Sequence, residues 1–301
     1  MNLRRNWKRF NQSIKFIWKH PLVKVERFRA LLRYFSFHIL TRINNIERPI
    51  AFIDGTQILI KRDLSGVATN YFTYLADFEE MSFLLHFLRP EDVFYDIGSN
   101  VGVWTILASG VIGCQTISIE PTKAAHAQLL KNINLNEINQ KVITYNIALG
   151  KDEKLVHISS TKGALNRILS KKEDMSEVVK QKTLDMINEV VVPKLIKIDV
   201  EGYEMHVLNG GANILSDQRL QVIIIELNGS SKKYGFSDDE MHQKIISYNF
   251  IPVFYYPFRR ELVELNNYDN RRHNTIYVRN LNMARTILYA AQKLNIGGYN
   301  F

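Results

Sequence analysis

Two features of the sequence are the first candidates for chemistry. One is a loop that contains glycines, and the other is an acidic residue about one βαβ unit further along the chain. Residues 94–104 read FYDIGSNVGVW, so an apolar run enters a polar loop and apolar residues then resume. The loop contains Asp96, Gly98, Ser99, Asn100 and Gly102. Glycines lack a Cβ atom, so they let the backbone approach a ligand closely. The Gly-x-x-x-Gly spacing is not the G-x-G-x-x-G dinucleotide fingerprint. The loop therefore predicts either a binding site for another small molecule or a plain turn that ends a strand.

The acidic residues indicate which small molecule this would be. Asp96 precedes the glycines, where a carboxylate suits an ammonium or sulfonium group better than a pyrophosphate. Glu120 lies 22 residues beyond Gly98, about the separation at which an acidic residue receives ribose hydroxyls. A carboxylate at the start of a helix is the alternative for Glu120. A ligand that joins a nucleoside to an amino acid fits both positions, and S-adenosylmethionine (SAM) has that make-up.

Carboxylates also follow two later strand-like runs. Asp199 and Glu201 lie in the run KIDVEG, and either could act as a general base, an assistance worth about 10²–10⁴-fold. The alternatives are an ion pair of Asp199 with Lys197 and a helix-start position for Glu201. Asp199, Glu226 and Asn228 offer oxygen ligands of the kind that Mg²⁺ uses. No pair of adjacent acidic ligands stands out, so we expect no metal site.

The candidates for a substrate pocket have a weaker signal. The aromatic side chains of Tyr71, Tyr74 and Phe78 could form a wall on which a sugar stacks, although packing in a core is the alternative. Asn228 is a further candidate for contact with a substrate. The sequence contains no Gly-x-Ser-x-Gly nucleophile elbow and no P-loop.

Alternating strand and helix patterns position these candidates. Strand-like runs occupy 93–96, 116–119, 142–147, 195–200, 222–226, 251–256 and 275–278. Helical stretches cover 122–135 and 203–215, and a capping box at Ser237 and Glu240 starts another helix. Such alternation is typical of a parallel, doubly wound α/β sheet, in which ligands bind beyond the carboxyl ends of the strands.

The segment before this α/β region is strongly basic. Residues 1–48 hold 12 Lys and Arg against two Glu, a net charge of +10, and the other 253 residues have a net charge of −1. A neutral body disfavours a nucleic-acid footprint over the whole protein. Two apolar stripes of helical period, from Leu3 to Ile17 and from Val25 to Ile46, predict amphipathic helices. These helices could pack on their own domain or on a sister subunit, or lie on a membrane surface.

Between the two regions, Asp54 and Gly55 predict a hairpin turn, and apolar spacing predicts one helix over 71–89. No apolar run approaches the roughly 18 residues of a membrane span, and no secretory signal is evident. The single Cys114 excludes an intramolecular disulfide and suits a reducing compartment. We expect a cytoplasmic protein, with peripheral membrane contact or self-association through residues 1–48 as further options.

Six segments between residues 92 and 229 form a series. They read DVFYDIGSNVGVWTILAS, ISIEPTKAAHAQLLKNINLN, NIALG, TLDMI, KLIKIDVEGYEMHVLNGGANIL and VIIIELNG. In this order they resemble the FkbM-type SAM-dependent methyltransferases, and the match runs from about residue 50 to 280. The resemblance implies a class I Rossmann-like fold, with a mostly parallel seven-stranded sheet whose last strand is antiparallel. It also implies SAM as cofactor and methyl transfer, usually to a hydroxyl of a sugar or natural product.

The resemblance also implies site residues by position. The methionine side of SAM would be lined by Asp96, Gly98, Asn100 and Gly102, with Ser99 standing where many members have Ala. Glu120 would hold the ribose, and Asn146 and Ala148 would neighbour the adenine. Asp199 and Glu201 would lie near the transferred methyl group.

Three hypotheses about function follow. The leading one is a SAM-dependent O-methyltransferase that acts on a saccharide or related small molecule by in-line transfer with carboxylate assistance. The second is an RNA methyltransferase whose basic arm binds the nucleic acid. The third is a catalytically idle SAM fold that serves as a membrane-associated or scaffold protein. The predicted organisation is a helical extension over 1–48 and a methyltransferase domain over 49–301. This domain consists of a lead-in over 49–90, a core over 91–280 and a C-terminal helical tail over 281–301.

Overall fold

The structure is a computed structural model, and it describes residues 2–44, 46–61, 65–159, 167–169, 176–187, 191–270 and 272–301. The helices of these residues are α1 (Asn2–Lys19), α2 (Arg27–Ile43), α3 (Ser65–Thr73), α4 (Phe78–Phe87), α5 (Val103–Thr105), α6 (Lys123–Leu135), α7 (Leu184–Ile187), α8 (Glu204–Asn209), α9 (Ala212–Ser216), α10 (Asp238–Ile246) and α11 (Leu281–Tyr289). Helix α5 continues as a π-helix over Ile106–Ile112. The strands are β1 (Arg48–Ala51), β2 (Gln57–Ile60), β3 (Val93–Ile97), β4 (Gln115–Ile119), β5 (Val142–Tyr145), β6 (Ala148–Leu149), β7 (Lys154–Ser159), β8 (Ile168–Leu169), β9 (Ser176–Lys182), β10 (Leu195–Ile198), β11 (Val222–Glu226), β12 (Ile251–Tyr256), β13 (Glu261–Glu264), β14 (Asn274–Val278), β15 (Asn295–Ile296) and β16 (Tyr299–Asn300).

An eight-stranded sheet carries the α/β part of the protein. Its strands lie in the order β13, β12, β14, β11, β10, β3, β4, β5. The strands from β11 to β5 pair in parallel, whereas β14 lies antiparallel between β11 and β12. This arrangement confirms the predicted Rossmann-like sheet with an antiparallel last strand, and all seven predicted strands are present. The eighth strand, β13, carries no clear signal because three of the four residues in its ELVE sequence are exposed at the sheet edge.

Both faces of this sheet are covered, so its central strands are apolar along their length. Phe94 of β3 belongs to the buried cluster on one face, together with side chains of α4, the π-helix and α11. Val93 and Tyr95 belong to the cluster on the other face, with side chains of α8, α9 and α10. The two layers of helices hold the strand ends, and the loops that follow them, in fixed positions.

Two predicted helices are each interrupted. The helix predicted over 71–89 is instead α3 and α4, because Tyr74 has a φ of 70°, and a left-handed residue cannot continue an α-helix. The helix predicted over 203–215 is divided into α8 and α9 at Gly210 and Gly211. A Cβ atom on Gly210 would overlap the carbonyl oxygen of Gly150, so the chain there is fitted against a neighbouring loop.

Two small β-structures are not foreseen from the sequence. Between β5 and β10 the described residues form a four-stranded sheet in the order β6, β9, β7, β8. The predicted helical tail over 281–301 is wrong beyond Tyr289, where α11 ends and a hairpin of β15 and β16 follows. Gly297 and Gly298 have φ values of 61° and 81°, as a tight hairpin turn requires, and Phe301 is buried against the core.

Asparagine side chains of α6 hold the lead-in hairpin of β1 and β2. The predicted turn at residues 54–55 forms, with φ values of 46° and 78°. The Leu59 amide donates to Asn132 Oδ1 at 2.9 Å, and the Gln57 amide donates to Asn136 Oδ1 at 2.7 Å. Asn136 Nδ2 also donates to the Gln57 carbonyl at 2.7 Å. The two amides therefore occupy the edge of β2 in the way that another strand would.

The N-terminal helices α1 and α2 pack on this lead-in region. Ile17, Ala30 and Phe37 share a buried cluster with Ile58 and Phe72. The apolar stripe predicted over Val25 to Ile46 does not face this cluster, because α2 uses its opposite side for packing. Within the described residues, no helix combines the length and the apolar character needed to cross a membrane.

Candidate functional site

A cavity of about 390 Å³ lies beyond the carboxyl ends of β3, β4 and β10. The predicted site residues that line it are Gly98, Ser99, Asn100, Glu120, Ala148, Asp199 and Glu201. Because the three strands are parallel, the loops that follow them meet at one edge of the sheet. The structure therefore brings the predicted cofactor loop and the two predicted catalytic carboxylates to the same cavity.

The loop after β3 contains backbone contacts that require glycine. Gly98 has a φ of 79°, and a Cβ atom there would overlap the carbonyl oxygen of Asp199 and lie 2.8 Å from its carbonyl carbon. The Gly98 amide donates to the Ile119 carbonyl at 2.9 Å. Gly102 does not line the cavity. It is the N-cap of α5 and has a φ of 90°, and a Cβ atom there would lie 2.5 Å from Leu129 Cδ1. Because the two glycines have no side chain, the loop can pack closely against the end of β4, the end of β10 and the side of α6.

Glu120 is buried and accepts three hydrogen bonds. Its Oε2 accepts from the Asn100 amide at 3.0 Å, and its Oε1 accepts from the amide and the hydroxyl of Thr122 at 2.8 and 2.6 Å. Burial raises the pKa of Glu120, although the hydrogen bonds from Thr122 and Asn100 oppose the shift. Thr122 is the N-cap of α6, so Glu120 does support a helix start. A carboxylate offers about four acceptor positions, so one position on Oε2 remains for a ligand.

Two buried polar atoms beside this loop have no hydrogen-bond partner among the residues that the structure describes, Ser99 Oγ and Asp96 Oδ1. Asp96 lies behind the cavity wall, where its Oδ2 accepts from Thr105 Oγ1 at 2.7 Å. Burial raises the pKa of Asp96, and the nearby charge of Lys197 opposes this shift. Orphaned acceptors at this position fit a ligand that brings N–H donors, as the ammonium group of SAM does.

Asn146 acts from behind the predicted adenine side of the cavity. Its Nδ2 donates to the carbonyls of Glu120 and Pro121, both at 2.9 Å. These bonds fix the bend after β4, whereas Ala148 lies on the cavity wall itself. Asn146 is thus placed to support the loop, and it does not line the cavity.

A buried lysine holds the first of the two predicted catalytic carboxylates. Lys197 Nζ lies 2.8 Å from Asp199 Oδ2 and 5.2 Å from the centre of the Trp104 ring. Burial disfavours the charge on Lys197, but the carboxylates of Asp199 and Asp96 outweigh it and raise the pKa of the ammonium group. Asp199 therefore forms an ion pair with Lys197, the alternative that the sequence offered to a catalytic role. About a third of the Asp199 side chain stays exposed.

The second carboxylate, Glu201, lies in a turn with positive φ. Its φ is 56°, a value uncommon outside glycine, and Gly202 follows with a φ of 98°. Glu204 holds this turn, because its Oε1 accepts from the amides of Val200 at 3.1 Å and Gly202 at 2.9 Å. Burial, reinforced by the charge of Asp199, raises the pKa of Glu201 to about 7. Glu201 can therefore exchange a proton near neutral pH.

The residues predicted for the acceptor pocket lie elsewhere. The Tyr74 hydroxyl donates to Glu26 at 2.7 Å, and Tyr71 packs with the N-terminal cluster. Asn228 is exposed, and its Oδ1 accepts from the Ser230 amide at 2.8 Å. These positions correct the prediction: Tyr71 and Tyr74 pack with the N-terminal helices, whereas Phe78, on α4 beyond the break at Tyr74, is buried against Phe301.

Other cavity residues are not singled out by any motif. They include Phe16, Asp77, Trp104 and Arg167. Phe16 comes from α1, and Arg167 directly precedes β8 of the small sheet. Both reach the cavity from elements outside the βαβ core, so the spacing rules for that core could not identify them. Lys197 is the predicted ion-pair partner of Asp199, but its burial is not indicated by the sequence.

Glu226 lies at the end of β11, next to the carboxylates but outside the cavity lining. Burial, with repulsion from Asp199, raises the pKa of Glu226 to about 9. Over the part of the chain that the structure describes, no group of three His, Cys, Asp or Glu side chains is arranged to hold a metal ion.

Most residues of the cavity lining lie in a segment that matches a known family. The sequence profile of the methyltransferase FkbM domain matches residues 96–252, which is more than half of the chain. The hexuronic acid methyltransferase AglP of Haloferax volcanii is 26% identical over 148 residues, 48% of this chain and 59% of AglP. The chain thus spans less than two thirds of the length of that curated relative.

Two solved structures are also similar. A protein of the NADB-Rossmann superfamily from Streptococcus agalactiae is 12% identical, with a TM-score of 0.39 and 66% of each chain covered. The C-terminal domain of precorrin-6Y C5,15-methyltransferase from Rhodobacter capsulatus is 9% identical, with a TM-score of 0.38, 67% of this chain and 87% of that chain covered. From the extent of the profile match and the loop that precedes Glu120, the chain belongs to the FkbM methyltransferase family, with SAM as its methyl donor.

Proposed function

We propose that the protein transfers the methyl group of SAM to a hydroxyl group of a saccharide. The observation that carries the proposal is that the glycine loop, Glu120 and the Glu201 carboxylate line one cavity. Bound SAM supplies an electrophilic methyl group. The residues of the chain then orient the donor, place the acceptor hydroxyl in line with the methyl carbon and take up the hydroxyl proton.

The donor is held along the loop in this proposal. Ser99 Oγ, which lacks a partner within the described residues and belongs to a residue of the cavity lining, would accept from the ammonium group of the methionine end. The open position on Glu120 Oε2 would accept from a ribose hydroxyl. Ala148 would lie beside the adenine. The transferable methyl group would then be near the loop after β10, whose Asp199 and Glu201 line the same cavity.

Glu201 is the general base in this proposal, and Asp199 is held by its ion pair with Lys197. The Asp199 carboxylate is engaged by a buried ammonium group 2.8 Å away. The pKa of Glu201 is about 7, because burial and the charge of Asp199 raise it. A base is most effective when its pKa is close to the working pH, and it typically contributes about 10²–10⁴-fold.

An acidic sugar is the acceptor class that the cavity wall favours. Arg167 is part of the cavity wall, and guanidinium groups pair with carboxylates through two parallel hydrogen bonds. AglP is named for hexuronic acid, a sugar that carries such a carboxylate. We therefore propose a uronic acid residue as the acceptor, with Arg167 holding its carboxylate while a ring hydroxyl is methylated.

The test is incubation of the full chain with methyl-labelled SAM and three acceptor sets: uronic acid oligosaccharides, neutral oligosaccharides and RNA. We expect label in the uronic acid set. Arg167→Gln should lower kcat/KM for that set by about tenfold or more, since a charged hydrogen bond contributes about 1.5–3 kcal/mol. Arg219→Gln is the matched control, because Arg219 is exposed and paired with Asp217.

Two other results would contradict the proposal. Label transfer to RNA that weakens as salt is added would identify an RNA methyltransferase. Binding of SAM without label transfer to any of the three sets, or to fractionated glycans and lipids, would identify a catalytically idle fold.

A further inference from the structure

Helix α2 has two apolar faces, and only one of them is covered by the protein. Its inner face consists of Ala30, Tyr34, Phe37 and Thr41, all buried. Its opposite face consists of Phe28, Leu32, Phe35, Ile39 and Ile43, whose exposed fractions are 76%, 67%, 43%, 57% and 78%. Steps of four, three, four and four residues place the second set along one line of the helix. A contiguous apolar line of this kind marks an interaction site.

Aromatic side chains of α1 widen this face. The ring of Trp18 lies 6.0 Å from that of Phe28, edge to face, and the ring of Phe10 lies 6.2 Å from that of Phe35. Trp7, which stacks on Phe10 at 5.6 Å, is 66% exposed. We call the exposed side of α2, together with Trp7 and Trp18, the outer face.

The surroundings of the outer face are positively charged. Exposed basic residues on and between the two helices are Lys15, Lys19, Lys24, Arg29 and Arg42. The acidic residues of the segment are engaged elsewhere: Glu26 binds Arg33 at 2.7 Å, and Glu47 binds Lys131 at 3.0 Å. The outer face thus combines an apolar centre with a basic margin.

We propose that the outer face binds an anionic membrane surface. Aliphatic and aromatic side chains enter the boundary between headgroups and acyl chains, and the basic margin attracts anionic headgroups. A second copy of the chain fits less well, because a symmetric contact would bring together two segments that each carry a net charge of +10. Nucleic acid fits less well too, since the phosphate backbone requires basic groups where this face has aliphatic ones.

The binding face and the cavity share helix α1. Phe16 lines the cavity, and Trp18, two residues further along the same helix, belongs to the outer face. A protein held on a membrane by the outer face therefore has one wall of its cavity anchored there. Membrane binding through the outer face does not depend on which acceptor the cavity takes.

The test is co-flotation of the full chain with vesicles of phosphatidylcholine alone and with vesicles that also contain phosphatidylglycerol. We expect binding to the anionic vesicles that weakens when salt screens the basic margin. Replacement of three outer-face residues together, Phe28→Ser, Leu32→Ser and Ile39→Ser, should weaken that binding by about tenfold or more. These side chains are exposed, so the variant is expected to fold and to keep its SAM affinity.

The matched control carries three serine substitutions at exposed apolar residues of the α/β body: Ile143, Leu155 and Val178, which are 46%, 67% and 50% exposed. It should bind anionic vesicles as the unaltered protein does. Equal binding of the outer-face variant, or no binding of the unaltered protein to anionic vesicles, would overturn the proposal. A dimer in the absence of vesicles that is lost in the outer-face variant would assign the face to a second copy and would also overturn it.

Discussion

Replacement of Glu120 by Ala tests how the cavity binds its donor. The carboxylate accepts three internal hydrogen bonds, so it has room for about one more, at Oε2. A hydrogen bond to a charged acceptor contributes about 1.5–3 kcal/mol, which corresponds to about a 10- to 150-fold higher Kd for SAM when it is lost. Isothermal titration calorimetry measures this change directly, and it needs no knowledge of the acceptor.

A second ligand separates ribose binding from damage to the loop. Glu120→Ala also leaves the amides of Asn100 and Thr122 without their acceptor, so a weaker Kd alone has two explanations. The two ligands are S-adenosylhomocysteine, which SAM becomes after methyl transfer, and its analogue without the two ribose hydroxyls. The analogue should bind the unaltered protein more weakly than S-adenosylhomocysteine does. In Glu120→Ala the two ligands should bind equally, since the interaction partner is gone. An undiminished difference between the ligands in the variant would refute the assignment of Glu120 to the ribose.

Three further predictions concern the neighbouring loops and carboxylates. Glu201→Gln should lower kcat by about 10²–10⁴-fold with little change in SAM affinity. The rate of the unaltered protein should rise with pH near 7, because the pKa of Glu201 is raised to that value, and this rise should disappear in the variant. An unchanged pH–rate profile would exclude Glu201 as the base. Gly98→Ala should abolish measurable SAM binding and lower Tm, because the new Cβ overlaps the Asp199 carbonyl. The control is Gly55→Ala, at nearly the same φ but in open space. It should lower the free energy of unfolding by only about 1–2 kcal/mol and bind SAM normally. Burial raises the pKa of Glu226 from 4.5 to about 9, so between these values the folded chain keeps a proton that the unfolded chain releases, and stability falls as pH rises. Glu226→Gln should therefore match the unaltered protein in Tm near about pH 5 and exceed it near about pH 8, and equal Tm values at both would contradict the raised pKa.

The sheet could be predicted from the sequence because its strands obey a local rule. Buried parallel strands are apolar throughout, so runs such as the one around Phe94 identify themselves. Strand β13 and the strands of the small sheet alternate or are very short, and their sequences resemble those of loops. The break at Tyr74 has no local signal either, since tyrosine rarely has a positive φ, and the partners of its side chain, Glu26 and Arg33, are distant in sequence.

The cavity was predictable to the extent that it is built from strand ends. Gly98, Glu120 and Asp199 follow consecutive strands of the sheet order, and the topology alone brings them together. Phe16 and Arg167 reach the cavity from elements that pack on the sheet, so their positions depend on tertiary contacts. The stripe on α2 shows a different limit, because helical periodicity identifies an apolar face without indicating whether the protein covers it.

One side chain of α6, Asn132, has two structural roles at the contact with the lead-in hairpin. Asn132 accepts from the Leu59 amide through Oδ1, and its Nδ2 donates to the Val101 carbonyl in the loop after β3 at 2.8 Å. An uncovered strand edge is a template on which other chains can pair. The same amide group that closes this edge also restrains the loop that holds the donor. Loss of Asn132 would therefore promote edge-to-edge self-association and weaken cofactor binding together, so a single substitution would lower both resistance to aggregation and cofactor affinity.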